Sequence, residues 1–483
     1  MPGGLLPLST ETRREDLLVR IGELSVVALT ALLLVLVVWW PARTAGRLRA
    51  TQTLVAVTAV VLLAHTFLEF PRFLLLPAVA VFAVLAAVSW RRAARPGVRR
   101  GGGRRWARIL RRLAASLGGL VPVAVSGVAT WALPVFAVPA PTGPYAVGAH
   151  SVLFLDNGRV ESRVTDAKVA RSVPATIWYP AESADGRPAV GYDPQVVGAL
   201  TTELGVPGLV FDYLPRINTH TFAELPPAAG KFPVLLYSPG FGSTRNENMA
   251  VVSDLVSHGY VVVGMDHPGT SAVVSVQNGE EVLADWQTAF GPREEIAELS
   301  TQQIAERAQD VVLVLDSLAE TTLGDHLDLE TVGIFGFSYG GATAAQVLYS
   351  DPRVRAAVNL DGSYWGPVAQ QGVSKPLLHF RFDPDSLPSR YAKIAESEQQ
   401  VIDRVRQLSG PNYQVAMVEN AMHLNYNDTL AIAPIVGDGL SPARSADLLR
   451  RHIRDYFDHH LRGEQLQLVG QTLPEFPEIL WED

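Results

Sequence analysis

One serine stands in a sequence context that favours nucleophilic catalysis. Ser338 is the central residue of G-F-S-Y-G, residues 336–340, which an apolar run precedes and a small-residue, helix-favouring stretch follows. A strand, a G-x-S-x-G turn and a helix in this order predict a sharp, strained turn that exposes the serine hydroxyl. Side chains at the two glycine positions would collide with the neighbouring strand or helix. The pattern therefore favours Ser338 as a nucleophile over a glycine-rich turn without chemical function.

A serine hydroxyl becomes a good nucleophile when a histidine accepts its proton and an acid holds that histidine. The histidines that follow Ser338 in the chain are His379, His423, His452, His459 and His460. His379 falls within a predicted strand, and the last three fall on a predicted C-terminal helix with the spacing of a solvated or interface surface. His423 lies in the loop after the predicted strand Tyr413–Val418, from which it can reach over the sheet edge. We therefore predict His423 as the base.

The acid that would hold this histidine has more than one candidate position. Asp361 directly follows the predicted strand Val354–Leu360, and Asp383 and Asp385 follow the predicted strand Pro376–Phe382. Catalytic groups gather at the carboxyl ends of parallel strands, so both positions are suitable. The later strand is the commoner place for the acid in such a sheet, and position alone therefore favours Asp383.

The elements around these residues alternate between strands and helices. The apolar patterns predict strands at Val173–Tyr179, Phe232–Tyr237, Tyr260–Met265, Val354–Leu360, Pro376–Phe382 and Tyr413–Val418, one leading into Ser338, and helices at Asn248–Ser257, Glu294–Leu318 and Ala443–Leu461. This alternation implies an α/β domain with a mostly parallel sheet. The chain order Ser, Asp, His is that of the α/β-hydrolase fold. We also expect a β-hairpin over Ser151–Val164 at an antiparallel edge, and an irregular insertion or lid over residues 185–228.

Four apolar stretches precede this domain, at about residues 24–40, 54–70, 73–90 and 113–138. Each is about long enough to cross a hydrocarbon core of ~30 Å. Arg clusters flank them and they contain almost no charge, which favours membrane spans over buried core helices. The first stretch is not a cleavable signal, because three more follow it. We therefore predict a four-helix transmembrane region over residues 1–140 and an α/β-hydrolase domain over residues 141–483.

The charges of the chain are divided unevenly between these two parts. Residues 1–147 contain 17 basic and 5 acidic side chains, whereas residues 148–483 contain 23 basic and 43 acidic ones. An acidic domain argues against a nucleic-acid partner. The arginines cluster between the first and second stretches (Arg43, Arg47 and Arg49) and between the third and fourth (Arg91–Arg112). Short positive loops stay cytoplasmic, so we predict a multi-pass cell-membrane protein with an extracytoplasmic hydrolase domain.

The chain contains no cysteine. Disulfides, thiol chemistry and cysteine-ligated metal sites are therefore excluded. A serine, histidine and acid need no metal ion or cofactor for ester chemistry, and we expect none.

From about Tyr179 to Gly463 the chain resembles the plasma-type platelet-activating factor acetylhydrolases and their bacterial relatives. The resemblance rests on S-P-G-F-G-S-T-R (residues 238–245), H-G-Y-V-V-V-G-M-D-H (258–267), G-F-S-Y-G-G (336–341), N-L-D-G (359–362) and H-L-N-Y-N-D (423–428). It implies an α/β-hydrolase acting on short or oxidised acyl esters, including those of phospholipids. The four N-terminal apolar stretches have no counterpart in the secreted relatives.

The resemblance also implies roles for individual residues. In that family the acid is the aspartate of the L-D-G element and the histidine opens an H-x-N-[FY]-x-D element. The implied triad is Ser338, Asp361 and His423. An oxyanion needs preorganised donors. One is expected from the backbone N–H of Tyr339, the residue after the nucleophile, and the resemblance assigns the second to the backbone N–H of Phe241.

These observations predict a membrane-anchored serine ester hydrolase that forms an acyl-enzyme, with a small-molecule or lipid ester and the lipid bilayer as its partners. Two alternatives stay open. The same triad could transfer the acyl group to envelope lipids or polyols, as an acyltransferase does. The protein could also be a non-catalytic membrane sensor or scaffold whose hydrolase domain is degenerate.

Overall fold

The structure is a computed structural model, and the part of the chain it describes comprises residues 10–40, 46–68, 72–94, 105–133, 135–165, 168–184, 186–205, 207–286, 293–384, 392–434, 437 and 439–482. The chain divides into two compact units. Unit 1 consists of Met1–Ala137 together with Leu209–Tyr213. Unit 2 consists of Val138–Gly208 and Leu214–Asp483.

Unit 1 contains four long helices, α1 (Thr10–Trp39), α2 (Gly46–Leu68), α3 (Leu76–Ala94) and α4 (Arg105–Ala132). Segments long and apolar enough to cross a membrane lie at Ile21–Trp39, Gly46–Phe67, Phe73–Ala94 and Arg105–Ala132, with mean hydropathies from 1.6 to 2.6. The predicted end of the fourth stretch at Val138 is wrong, since α4 ends at Ala132. Pro134 follows in the sequence, and a proline disfavours helical backbone in the residue before it.

Charged side chains mark the two ends of these helices. At one end, a buried ion pair joins Arg72 Nη1 to Glu23 Oε2 at 3.0 Å. At the other end, Arg47 and Arg92 both donate to the carbonyl oxygen of Val37, at 2.7 and 3.1 Å. These guanidinium groups bind the last turn of α1, where its carbonyl groups lack helical partners. Five arginines of the predicted positive loops lie outside the described residues, namely Arg43, Arg95, Arg99, Arg100 and Arg104.

Unit 2 is built on a sheet. The strands of the described chain are β1 (Ala146–Val160), β2 (Ala170–Ala181), β3 (Thr221–Ala223), β4 (Phe232–Ser238), β5 (Val261–Met265), β6 (Val273–Ser275), β7 (Glu281–Leu283), β8 (Leu327–Phe337), β9 (Val354–Leu360), β10 (Leu377–Arg381), β11 (Tyr413–Val418) and β12 (Ile479–Glu482). Ten of them form one sheet in the order β12-β11-β10-β9-β8-β4-β5-β2-β1-β3, and β6 pairs with β7.

The helices of unit 2 connect these strands. They are α5 (Pro194–Leu204), α6 (Met249–Ser257), α7 (Arg293–Ser317), α8 (Tyr339–Ser350), α9 (Gly366–Gln371), α10 (Ala392–Ser409), α11 (Thr429–Ile432) and α12 (Pro442–Arg462). The six strands from β11 to β5 pair in parallel, whereas β2 and β12 join their neighbours antiparallel. This mostly parallel sheet between helices is the predicted α/β architecture. Strand β8 lies inside the parallel part, so its carboxyl end is at the centre of one sheet edge.

The predicted hairpin over Ser151–Val164 is wrong. Strand β1 continues from Ala146 to Val160 without turning back, and it pairs antiparallel with β2. The Asp156-Asn157-Gly158 sequence instead produces a shift of register between Asp156 and Val160. The Asp156 carboxylate accepts the N–H of Gly158 at 2.8 Å, so the local hydrogen bond of a turn is made within an irregular strand.

Residues 185–228 contain more regular structure than predicted. They include helix α5 and the edge strand β3. Asp193 caps α5 by accepting the N–H of Gln195, and Pro194 occupies the first turn. Gly205, at φ 64°, follows its end. These are ordinary start and stop signals of a helix, which the abundance of Pro and Gly in the segment obscured.

Candidate active site

Ser338 lies in a strained turn between β8 and α8. Its φ and ψ are 53° and −118°, a region that residues with a side chain rarely adopt. A Cβ atom at Gly340 would stand 1.8 Å from the carbonyl oxygen of Ser238, and one at Gly336 would stand 2.3 Å from that of Gly340. The predicted steric reason for both glycines is confirmed. The turn presents the Ser338 hydroxyl at the carboxyl edge of the sheet.

Three of the predicted site residues form one chain of hydrogen bonds. Ser338 Oγ lies 3.0 Å from His423 Nε2, and His423 Nδ1 lies 2.5 Å from Asp361 Oδ2. The Asp361 side chain is 4% exposed, whereas that of His423 is 46% exposed. The imidazole also packs against the ring of Phe337, with centroids 4.7 Å apart. A half-exposed base is thus held between a buried carboxylate and an accessible hydroxyl.

The two candidate acids make different contacts. Besides His423, Asp361 binds the end of the neighbouring strand β10, because its Oδ1 accepts the N–H of Phe382 at 2.8 Å. Asp383 Oδ2 accepts the N–H of Asn420 at 3.1 Å, in the turn before the histidine loop. Asp385 lies outside the described residues. The geometry therefore pairs the imidazole with Asp361, although position along the chain favours Asp383.

The polar residues that follow His423 hold its loop. Asn425 donates to the carbonyl of Leu440 at 2.7 Å, and the Tyr426 hydroxyl donates to the carbonyl of Arg381 at 2.5 Å. Both side chains are buried. A loop anchored by buried hydrogen bonds keeps the imidazole at one position, because releasing such groups leaves donors unsatisfied.

Asp428, the last residue of the same H-L-N-Y-N-D motif, binds helix α6. Its buried carboxylate accepts the N–H of Met249 at 2.6 Å and the Tyr192 hydroxyl at 2.8 Å. It thereby binds the first turn of α6, where amides lack helical partners. Burial raises the pKa of Asp428 to about 7.

The predicted oxyanion donors are backbone amides for which the described part of the chain supplies no competing acceptor. Tyr339 is the first residue of α8, so its N–H has no acceptor within the helix. In the loop before α6, Gly240 donates to Glu247 Oε1 at 2.6 Å and Gly242 donates to the carbonyl of Thr270 at 2.7 Å. Between them, the Phe241 N–H makes no hydrogen bond to any described residue. Both amides are therefore available to an incoming acceptor.

Glu247 is a member of the site that the sequence patterns did not reveal. It is buried, and its Oε1 accepts both the Gly240 N–H and the Tyr237 hydroxyl, the latter at 2.9 Å. Burial raises the pKa of Glu247 to about 7. Its position two residues after the S-P-G-F-G-S-T-R motif is the signal that could have identified it.

Aromatic rings lie beside the predicted oxyanion amides of Phe241 and Tyr339. The ring of Phe241 meets those of Tyr339 and Trp286 edge to face, with centroids 5.5 and 5.4 Å apart. An apolar wall therefore stands beside the available amides. Among the described residues, no group of three or more His, Asp or Glu side chains is arranged to hold a metal ion.

The likeness to known proteins covers most of unit 2. Residues 133–441 match the family described as platelet-activating factor acetylhydrolase, isoform II. A probable 1-alkyl-2-acetylglycerophosphocholine esterase of Arthroderma benhamiae is 24% identical over 267 residues, which are 52% of this chain and 66% of the relative. A platelet-activating factor acetylhydrolase of Bos taurus is 25% identical over 290 residues, 50% of this chain and 63% of the relative. The chain thus spans a little under two thirds of these relatives' length.

A solved structure extends the likeness to the fold. The ferulic acid esterase from Streptomyces cinnamoneus is 26% identical, with a TM-score of 0.60, over 72% of this chain and 99% of that one. The fold of unit 2 is that of the α/β-hydrolases. Because the family match extends over more than half of the sequence, this chain belongs to the platelet-activating factor acetylhydrolase isoform II family.

Proposed function

We propose that this protein is a membrane-anchored serine ester hydrolase. The observation that carries the proposal is the hydrogen-bond chain from Ser338 through His423 to Asp361, beside two available backbone amides. A nucleophile, a base, an orienting acid and an oxyanion site are the parts that acyl transfer from an ester requires.

The reaction follows from these positions. His423 Nε2 takes the proton of Ser338 while Oγ attacks the ester carbonyl carbon. The N–H groups of Phe241 and Tyr339 stabilise the oxyanion, and Asp361 stabilises the imidazolium. The imidazolium then protonates the departing alcohol, which leaves an acyl-enzyme. Water, deprotonated by His423, attacks this ester, and the acid departs as Ser338 regains its proton.

The substrate we propose is a short-chain or lipid-type carboxylic ester. The relatives are named for the hydrolysis of 1-alkyl-2-acetylglycerophosphocholine or platelet-activating factor, and the structural neighbour is named a ferulic acid esterase. The rings of Phe241, Tyr339 and Trp286 support an apolar acyl group at this site. A membrane anchor suits an ester that resides in a lipid phase.

We also propose that α1 to α4 cross the membrane with unit 2 on the extracytoplasmic face. Arg47 and Arg92 cluster at the end of α1 that the positive-inside rule assigns to the cytoplasm. A reporter active only outside the cytoplasm should then work when fused after Asp483 and fail when inserted near Gly102. The opposite pattern would overturn this orientation.

The function is tested with the full chain in detergent micelles. Release of acid from p-nitrophenyl acetate and from a phospholipid with a short sn-2 acyl chain should occur in the wild type and vanish in Ser338→Ala. Adding an alcohol acceptor separates hydrolysis from acyl transfer, since a transferase would yield mainly the new ester. Absence of turnover in the wild type, or full turnover in Ser338→Ala, would refute the proposal.

A further inference from the structure

A second Ser–His–Asp arrangement lies next to the loop of residues 239–242, which contains Phe241 and is called the oxyanion loop below. Ser238 Oγ, at the end of β4, lies 3.0 Å from His267 Nε2, and His267 Nδ1 lies 3.0 Å from Asp310 Oδ2 in α7. The exposed fraction of all three residues is 0%. A substrate cannot reach a fully buried hydroxyl, so this arrangement does not serve as a second nucleophilic site.

The proton positions in this arrangement follow from its surroundings. Burial lowers the pKa of His267 to about 4, so the imidazole is neutral at neutral pH. The Asp310 carboxylate, which also pairs with Arg171 at 2.6 Å, can only accept, so Nδ1 carries the imidazole proton. Nε2 must then accept the hydroxyl proton of Ser238. The lone pairs of Ser238 Oγ therefore face away from the imidazole.

Arg307 meets those lone pairs and the oxyanion loop together. This buried side chain of α7 donates through Nη2 to Ser238 Oγ at 2.9 Å, and through the same nitrogen to the carbonyl of Pro239. Its Nη1 donates to Thr270 Oγ1 at 3.3 Å, and the Thr270 carbonyl accepts the N–H of Gly242. One guanidinium thus binds the loop at its first residue and, through Thr270, near its last.

The same guanidinium also lies near Tyr339, whose backbone N–H is the other predicted oxyanion donor. Arg307 Cζ lies 5.4 Å from the ring centroid of Tyr339. The Tyr339 hydroxyl in turn donates to Gln303, one turn earlier in α7, at 2.7 Å. One face of α7, carrying Gln303, Arg307 and Asp310, therefore contacts the segments that present both predicted amides.

We infer that Arg307, oriented by Ser238, His267 and Asp310, is a positioning residue that keeps the Phe241 N–H directed at the developing oxyanion. The inference rests on the proposed function. Two glycines make the loop 239–242 flexible, and the Phe241 amide plane can rotate unless its neighbours are held. Oxyanion stabilisation depends on donors that need no reorganisation during the reaction. Arg307 supplies that order from behind the loop without touching the substrate.

The test compares Arg307→Lys and Ser238→Ala with the wild type as full chains in micelles. Lysine is a point charge that cannot hold Ser238, Pro239 and Thr270 together. We expect kcat for p-nitrophenyl acetate to fall at least 10-fold in Arg307→Lys, within the limit of about 10²–10³ for a lost oxyanion donor, with KM nearly unchanged. Ser238→Ala, which removes a single hydroxyl, should lower kcat several-fold. Amide hydrogen exchange over residues 239–242 should accelerate in both.

Arg462→Lys is the matched control. Arg462 is also a helix-borne arginine that donates to loop carbonyls, those of His258 and Gly259, but at the opposite edge of the sheet. The Arg462→Lys variant should retain wild-type kcat. The inference would be overturned if Arg307→Lys and Ser238→Ala both kept wild-type kcat. It would also be overturned if kcat fell as much in Arg462→Lys as in these two variants. A wild type without Ser338-dependent turnover would instead overturn the proposed function, and the inference with it.

Discussion

Asp361→Asn should cripple the enzyme by changing the histidine tautomer rather than the fold. Asp361 Oδ1 accepts the N–H of Phe382, and only the oxygen of asparagine can take that place, because an amide NH₂ does not accept. The NH₂ group then faces His423 Nδ1, which must become an acceptor. The imidazole proton moves to Nε2, where it faces Ser338 Oγ and prevents removal of the hydroxyl proton.

The size of the loss follows from this geometry. The wrong tautomer in a serine protease triad lowers kcat by about 10⁴, which corresponds to about 5 kcal/mol of activation free energy. Asp361 makes the same kind of contact to Nδ1 at 2.5 Å, so we expect kcat in Asp361→Asn to fall by a similar factor. The hydrogen bond to Phe382 is retained, and the thermal unfolding temperature should therefore change little.

The assay is hydrolysis of p-nitrophenyl acetate by the full chain in micelles, with Asp383→Asn as the matched control. Asp383 accepts the Asn420 N–H, and the asparagine oxygen can replace it in that role. The kcat of Asp383→Asn should thus stay within a few-fold of the wild-type value, because the change affects a single neutral hydrogen bond. A crippled Asp383→Asn beside a nearly normal Asp361→Asn would refute the reasoning and assign the acid to the later strand.

Two further predictions concern buried groups around the site. Because burial raises the pKa of Glu247 to about 7 from 4.5, only the unfolded chain ionises fully between these values. The free energy of unfolding of the wild type, relative to Glu247→Gln, should thus fall by about 1.4 kcal/mol per pH unit from pH 4.5 to 7 and stay level above. Thermal unfolding of both proteins across this range measures the difference, and a constant difference would contradict it. Gly340→Ala should cost more than the roughly 1–3 kcal/mol of an overpacked core position, since its Cβ meets backbone 1.8 Å away; a normal unfolding temperature would contradict the steric argument.

Much of the parallel sheet could be predicted from the sequence because local patterns determine it. The bounds of β9 and β11 coincide with the predicted strands Val354–Leu360 and Tyr413–Val418, each an apolar run between turn residues. Helix α10 was missed although Val401, Ile402 and Val405 have helical spacing, because polar and charged residues together make up most of its sequence. Strand β12 is four residues long and pairs with β11 about sixty residues earlier, so no local signal marks it.

The choice between the acids and the network behind the loop depend on three-dimensional packing. Both Asp361 and Asp383 follow parallel strands, so their positions in the sequence do not distinguish them. The backbone conformation after each strand determines which carboxylate contacts the imidazole of His423. Arg307 could have been noticed, because it shares the buried face of α7 with Ile304 and Val311, and a charge on an apolar face requires a partner. Its partner, the carbonyl of Pro239, lies on a strand end far away in the sequence.

The most direct test of the account is the identity of the residue that becomes covalently modified. The full chain in micelles is incubated with a fluorophosphonate probe, digested and analysed by mass spectrometry. We predict one adduct per chain, on Ser338, which disappears in Ser338→Ala and becomes much slower to form in His423→Ala, because the base is then missing. An adduct on a different serine, or no adduct on the folded wild type, would contradict the assignment of Ser338 as the nucleophile of an ester hydrolase.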